Sequence, residues 1–211
     1  MQQSRVACFI DGFNVYHALM EPDASGSAPY ARYRWIDYRK LAERYVSPGE
    51  ELIAVYYFTA YATWDEAKAS RHRTLVSVQK DRGVHVVLGR YRPVTEQCRA
   101  FCRQKYQTYR EKRTDVNIAI HLLDMAYKHA YDKAILVSGD SDLVPVVKHA
   151  RLVHPDGKIV VVAPVGRSAQ ALWNAADYRR DMKRADLNAS LLPERVVLTN
   201  GSTVDRPREW A

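Results

Sequence analysis

Five short apolar runs punctuate the chain: Val6 to Ile10, Leu52 to Phe58, Val84 to Leu88, Ala134 to Val137 and Ile159 to Ala163. They show little polar alternation and several are rich in Val and Ile, the pattern of strands covered on both faces in a parallel sheet. Between them the apolar positions change to helical spacing. Trp35, Tyr38, Leu41, Ala42 and Tyr45 fall on one face of the segment from Trp35 to Val46, and Asp65 to Gln79 and Val116 to Ala130 repeat the arrangement. Strands alternating with helices predict right-handed βαβ crossovers. The expected fold is α/β, with a mainly parallel central sheet flanked by helices in three layers (α/β/α) and chemistry at the carboxyl ends of the strands.

Two stretches break the alternation. Glu21 to Tyr33, with Pro22, Gly26 and Pro29, and Pro93 to Arg113, basic and aromatic, both read as loops. The tail from Asp186 carries Pro193, Gly201 and Pro207 but also the apolar Val196-Val197-Leu198, which predicts an edge strand or a packing arm. The expected organisation is therefore one domain over 1–185 with an extension over 186–211. No internal repeat or low-complexity tract is present.

A length of 211 residues suits a single domain with a continuous core, and a composition 47% hydrophobic and 27% charged argues against wholesale disorder. No apolar run reaches membrane-spanning length, and Met1-Gln2-Gln3-Ser4-Arg5 leads into a strand-like segment without a signal-peptide pattern, so a cytoplasmic protein without a membrane partner is expected. Three cysteines cannot build a multi-bridge scaffold, and Cys8 lies in an apolar run that suits a reduced, buried thiol. Lys and Arg outnumber Asp and Glu by 32 to 24, and the net charge of +8 favours a polyanionic partner.

The sharpest local signal is acidic. Asp11 ends the first apolar run in Phe9-Ile10-Asp11-Gly12-Phe13-Asn14, where a strand passes into a helix. Val137-Ser138-Gly139-Asp140-Ser141-Asp142 ends the fourth run, with Gly139 permitting a tight turn. Asp115 opens the helical segment before that run, whose apolar Val116, Ala119, Leu122, Leu123 and Ala126 face inward. Taken alone, Asp11 suits a turn, and Asp115 and Asp142 suit helix caps. Together they predict a convergence of chain-distant acids at one sheet edge. Clustered carboxylates repel one another unless a divalent cation removes the conflict, and all-oxygen ligation favours Mg²⁺ or Mn²⁺ over zinc. A pair of such ions about 4 Å apart supports in-line phosphodiester hydrolysis. Asp37, Asp65, Asp124 and Asp132 read as exposed helix positions or loop starts without a catalytic role.

Arg99, Arg103, Lys105, Arg110, Lys112 and Arg113 crowd one segment against the single acid Glu111, with Phe101, Tyr106 and Tyr109 interleaved. Cations that contact phosphates beside rings that stack on unpaired bases predict an RNA-binding element leading into Asp115. A solvated basic helix is the plainer alternative. Arg71-His72-Arg73, Arg90-Tyr91-Arg92 and Arg179-Arg180 with Lys183-Arg184 extend this surface or confer solubility. Cys98 and Cys102, four apart, offer half of a zinc site that His72, His85 or another subunit would complete; two isolated cysteines equally suit free thiols. No Walker A loop or Gly-x-Gly-x-x-Gly turn supports nucleotide hydrolysis or dinucleotide chemistry, and Asp11-Gly12-Phe13 lacks the Asp-x-Asp of a haloacid-dehalogenase phosphatase.

From about Val6 to Asp181 the chain resembles the NYN domains, bacterial relatives of PIN-domain nucleases. The resemblance rests on Phe9-Ile10-Asp11-Gly12-Phe13-Asn14, Arg113-Thr114-Asp115-Val116-Asn117-Ile118-Ala119 and Val137-Ser138-Gly139-Asp140-Ser141-Asp142-Leu143. It implies a PIN-like, Rossmann-like sheet and a Mg²⁺- or Mn²⁺-dependent endoribonuclease leaving 5′-phosphate and 3′-hydroxyl ends. It makes Asp11, Asp115 and Asp140 catalytic metal ligands, Asp142 a further or water-mediated ligand, and Asn14 and Ser138 supporting polar groups. Ser168, in Ser168-Ala169-Gln170-Ala171-Leu172, is expected to cap a late helix and contact phosphate. The expected partner is RNA, single-stranded or structured, with a homodimer left open. The alternative on the same fold is a non-catalytic RNA-binding or protein-interaction module.

Overall fold

Strand β1 (Ser4–Asp11) is buried from Val6 through Asp11 without interruption, as a strand covered on both faces must be. In the computed structural model, which describes residues 3–98 and 102–210, this strand lies at the centre of the sheet. Arg99 and Phe101 lie outside the described residues. The chain runs on through α1 (Gly12–Met20), a 3-10 turn (Ala31–Arg34), α2 (Tyr38–Glu43), β2 (Glu50–Thr59), α3 (Glu66–Asp81) and β3 (His85–Leu88). A hairpin of β4 (Arg90–Gln97) and β5 (Lys105–Lys112) follows, then α4 (Thr114–Tyr127), β6 (Lys133–Val137), α5 (Val144–Val153) and β7 (Lys158–Ala163). The chain closes with α6 (Gln170–Ala175), β8 (Tyr178–Asp181), α7 (Arg184–Ala189), β9 (Arg195–Val197), β10 (Thr203–Asp205) and a 3-10 turn (Arg208–Trp210).

The central sheet has the order β3-β2-β1-β6-β7-β8, every neighbouring pair parallel. Alternate side chains of β1 supply two cores. Val6, Cys8 and Ile10 pack with Val15 of α1, Leu41 of α2, Leu75 of α3 and Leu187 of α7. Ala7 and Phe9 pack with Ile118 of α4, Val147 of α5 and Leu172 of α6. The period of two thus divides the helices into the layers of the expected α/β/α arrangement. From β1 the chain crosses over one face to β2, and from β6 over the other face to β7. The paired strands β1 and β6 therefore flank the point where the winding reverses, and their carboxyl ends border a crevice.

Several expectations are corrected. Pro93 to Arg113 is not a loop: it spans most of an antiparallel hairpin in register from Arg90 opposite Lys112 to Gln97 opposite Lys105. Much of that hairpin is exposed, so it lacks the apolar alternation that marks a strand. The helix expected from Trp35 to Val46 contracts to α2, because Trp35 lies in a bend after the 3-10 turn and Ile36 forms a bridge with Leu191. Asp37 is not exposed: it is 1% accessible and N-caps α2 through the amide of Lys40. Strand β8 adds to the expected elements, being polar and exposed along its length. The tail adds its hairpin apart from the central sheet, with Val196 and Trp210 buried in the first core and the Trp35 indole donating to the Pro193 carbonyl at 2.7 Å. No helix among the described residues is long and apolar enough to cross a membrane.

Gly12 marks where β1 turns into α1. A Cβ there would lie 2.5 Å from the Phe58 carbonyl oxygen and equally close to the Tyr57 ring. Gly12→Ala is therefore expected to lower stability by about 1–3 kcal/mol in urea denaturation and to displace the adjacent Asp11; an unchanged midpoint would show that β2 yields freely.

Candidate active site

Asp11 is the last residue of β1 and the N-cap of α1, so the sequence places its carboxylate at the sheet edge and the helix geometry fixes it there. One oxygen accepts the Asn14 amide at 3.0 Å and the other the Ser138 hydroxyl at 2.8 Å. Register carries this across the crevice, since Ile10 pairs with Val137 and Ser138 follows next on the β6 side. Ser138 is fully buried and its oxygen also accepts the Asp140 amide at 3.1 Å, while Asn14 Oδ1 accepts the Gly139 amide at 2.8 Å. Asn14 and Ser138 thus fasten the loop after β6 to the start of α1.

Asp140 caps the 3-10 turn Ser141–Leu143 by accepting the Asp142 amide at 2.9 Å. Asp115 sits in the first turn of α4, whose entry is unusual. Arg113 adopts a left-handed φ of 87° and offers no side-chain cap. The cap comes instead from Glu111 on β5, whose Oε1 accepts both the Thr114 amide at 3.0 Å and its hydroxyl at 2.5 Å. Gly89 leaves room for that carboxylate, because a Cβ there would lie 2.6 Å from it.

Asp11, Asp115, Asp140 and Glu111 border one cleft of about 350 Å³, together with Phe13, Asn14, His17, Thr114 and Arg167. Burial pushes the Asp11 carboxyl up to about 6 against the opposing pull of Asn14 and Ser138, with Asp115 and Asp140 adding repulsion. Desolvation, then Asp140, Glu111 and Asp142, also raises Asp115. Among the described residues, Arg167 is the one Lys or Arg lining the cleft, and it is ion-paired with Glu21 outside. The acids consequently repel one another with little internal compensation. Among the described residues, no three His, Cys, Asp or Glu side chains close round a common point at metal-ligand spacing; the carboxylates border an open cleft, as mutually repelling groups do. A set of carboxylate oxygens with raised carboxyl pKa values fits a hard divalent cation.

The cleft brings together Asp11, Asp115 and Asp140 of the expected acids. Asp142 does not line it: its side chain is exposed, though near enough to repel Asp115. Glu111, His17 and Arg167 join them without having been expected. Glu111 stands out in the sequence only as the lone acid of a basic segment, and strand alternation is the signal that would turn it inward. Ser168 does not cap α6, whose N-cap is Ala169 without a side-chain bond; Ser168 is exposed, with its carbonyl beside Gly139.

The hairpin register separates its two faces. Arg90 pairs with Lys112 and Arg92 with Arg110 on one face, whereas Tyr91 pairs with Glu111 and Pro93 with Tyr109 on the other. Arg110 is met across the hairpin by Glu96 at 2.6 Å, and the Tyr106 hydroxyl donates to the same carboxylate at 3.0 Å. Desolvation, with a smaller contribution from Arg113 and Arg92, holds the Arg90 guanidinium below its ordinary pKa. Lys105 is exposed near the hairpin's end, and Arg103 is exposed in the connection with φ 47°. Tyr109 stacks on Trp64 with centroids 3.9 Å apart. Among the described residues, neither histidine completes a zinc site with Cys98 and Cys102. Cys98 and Cys102 are free, His72 bonds with Tyr57 and Thr59, and His85 stacks on Tyr56.

A family model described as the NYN domain matches residues 5–183. The chain belongs to the NYN domain family. It is also similar to the 6-hydroxy-3-succinoylpyridine 3-monooxygenase HspA of Pseudomonas putida, 25% identical over an alignment that is 248 positions long with its gaps and covers 98% of this chain and 75% of that protein. A crystal structure of a protein of unknown function from Vibrio parahaemolyticus shares the fold, with a TM-score of 0.56 and 22% identity over 90% of this chain and 98% of that one. The three-layer arrangement is thus the PIN-like fold expected of an NYN domain, with Asp11, Asp115 and Asp140 of the matched motifs meeting at its strand ends.

The displaced Asp11 pKa makes this NYN domain pH-sensitive. Between its ordinary 3.8 and about 6 the folded chain holds a proton that the unfolded chain releases, so stability falls as pH rises through that window, by on the order of 3 kcal/mol when complete. Asp11→Asn keeps an acceptor for Asn14 and removes the charge. In EDTA it should be more stable than wild type at about pH 7.5 and lose that advantage toward about pH 4 in urea titrations; a difference independent of pH would contradict the assignment.

Proposed function

We propose that this NYN domain is a divalent-cation-dependent endoribonuclease. The observation that carries the proposal is the meeting of Asp11, Asp115 and Asp140, with Glu111 beside them, in one under-compensated acidic cleft where β1 and β6 end. Asp11, Asp115 and Asp140 would hold Mg²⁺ or Mn²⁺, which when bound supplies an activated water and neutralises charge on a scissile phosphate. The chain's own groups do the remaining work. Ser138 and Asn14 orient Asp11 and tie the Asp140 loop to it. Glu111 fixes the α4 start that carries Asp115. Arg90, Arg92, Lys112 and Arg113 on and beside the hairpin supply cations for the phosphates flanking the cut.

The relative named as a monooxygenase is similar at 25% identity, and its name alone carries no activity to this chain. His17 is the one imidazole among the described lining residues, short of the two-histidine, one-carboxylate set of non-haem iron oxygenases. The second reading is an RNA-binding module whose acids serve folding, and the N-cap role of Asp11 and the open spacing of the carboxylates favour it.

Labelled single-stranded and structured RNAs incubated with Mn²⁺, Mg²⁺ or EDTA separate the two readings. Cleavage is expected with metal alone, lost in Asp140→Asn and lowered about 10- to 100-fold in Ser138→Ala, which loosens a ligand's support. RNA binding indifferent to EDTA, with no product, would favour the module. Arg90→Ala with Lys112→Ala should weaken RNA binding on all sequences and flatten the log–log salt dependence by about 0.7 for each phosphate no longer neutralised; an unchanged slope would remove the hairpin from the interface.

A further inference from the structure

Beside the acidic cleft lies a second cavity, of about 410 Å³, within the roughly 300–1,000 Å³ range of small-molecule sites. Phe13 lines both, so the two are neighbours across one side chain. The second is aromatic: Phe13, Tyr16, Tyr57, Trp64, Tyr91 and Trp210 are among its walls. It is also cationic, with Arg34, Lys68 and Arg71 in the lining and no acid among the described lining residues. Arg71 and Lys68 each lean on an acid outside the lining, Glu209 at 3.0 Å and Asp65 at 3.5 Å. Among the described residues, Arg34 bonds only the carbonyls of Ala31 and Glu209, at 2.8 and 3.0 Å, and its guanidinium lies 5.7 Å from the Trp210 ring centroid. A partly buried guanidinium met by carbonyls and rings alone is a ready partner for an anion.

Its walls are braced. Trp64 meets Tyr91 edge-on at 4.5 Å and stacks on Tyr109, while Phe13 meets Tyr91 at 5.5 Å. A ladder of rings therefore runs from the basic hairpin past the second cavity to the acidic cleft. His72, half-buried and held near 4, presents a neutral imidazole bonded to the Tyr57 and Thr59 hydroxyls.

We propose that this cavity is a nucleotide subsite: it takes one unpaired nucleobase of the RNA between its rings, with that nucleotide's phosphate on Arg34, and so sets which phosphodiester enters the acidic cleft. A flat ring carrying an anion is the chemistry that both the aromatic walls and the uncompensated guanidinium recognise. The proposal rests on the reading of the chain as a ribonuclease, but nucleotide binding in the second cavity needs neither metal nor cleavage.

The test therefore begins in EDTA. Nucleoside 5′-monophosphates, ribose 5-phosphate and benzoate are titrated by calorimetry, with the fluorescence of Trp64 and Trp210 followed in parallel. Expected is nucleotide binding that exceeds ribose 5-phosphate, weakens roughly 10- to 100-fold in Tyr16→Ala and in Arg34→Gln, and is unchanged in Asp140→Asn. Tyr16 is 44% exposed, so its removal spares the core even if Arg34→Gln loosens the C-terminal turn. Equal binding of ribose 5-phosphate, binding of benzoate alone, or no binding at all would each overturn the proposal. In cleavage assays, Tyr16→Ala should blur base preference at one position beside the cut. Preference unchanged with cleavage intact would sink the subsite and leave the nuclease standing; nucleotide binding without any cleavage would do the reverse.

Discussion

The pairing of β1 with β6 is the constraint on which the rest of the molecule depends. Because Ile10 lies opposite Val137, the next residues outward, Asp11 and Ser138, face each other across the crevice where the winding of the sheet reverses. A slip of one residue would turn Ile10 and Val137 out of their core layer and separate the carboxylate from its hydroxyl partner. The hydrophobic pattern that fixes the register therefore also fixes the site, and the bond at 2.8 Å between Ser138 and Asp11 follows from sheet packing.

Above that constraint, the acids are held in place by the same bonds that build the local fold. Asp11 caps α1, Asp140 caps the turn after β6, and Glu111 caps α4 from a different element. A capping carboxylate is rigid, since the amide it accepts limits its rotamers, and a rigid carboxylate cannot move away from its neighbours when they ionise. Burial is the main reason the Asp11 and Asp115 carboxyls are raised, and the neighbouring acids that the fold keeps close add to it. Capping and charge crowding are thus one arrangement, and weighing the helix-cap reading of each acid against a functional one sets up a false choice.

How much of this is legible follows from what burial writes into a sequence. Strands covered on both faces need unbroken apolar runs, so β1, β2, β6 and β7 can be read, as can the acids after β1 and β6; the edge strand β3 is read from its apolar residues although it is not buried. Strands β4, β5 and β8 are largely exposed and carry Arg, Lys, Gln and Tyr, so nothing in their periodicity distinguishes them from a loop. Reading the hairpin as a loop hides its alternation, and with it the inward turn of Glu111. Asp37 misleads for the converse reason. A cap with its chain beneath Gln79 and Arg82 is buried, yet its local sequence matches that of an exposed helix start. Bonds between residues distant in sequence, such as Trp35 with Pro193, leave no local trace at all.

The separation of charge along the molecule gives the hairpin its meaning. A net charge of +8 would hold an anionic polymer anywhere on a uniform surface, but here an acidic cleft sits inside that positive field. The outer face of the hairpin carries Arg90, Arg92 and Lys112, whereas the carboxylates beneath it would repel an anion. The inner face of the same strands carries Tyr91 and Tyr109, locked to Trp64, and Glu111, which fixes the α4 start. The two sides of one strand thus carry two chemistries: odd positions build the wall and the cap, even positions present cations to solvent. A loop of the same composition would supply the charge but not this division, because only a paired strand sends successive side chains to opposite sides.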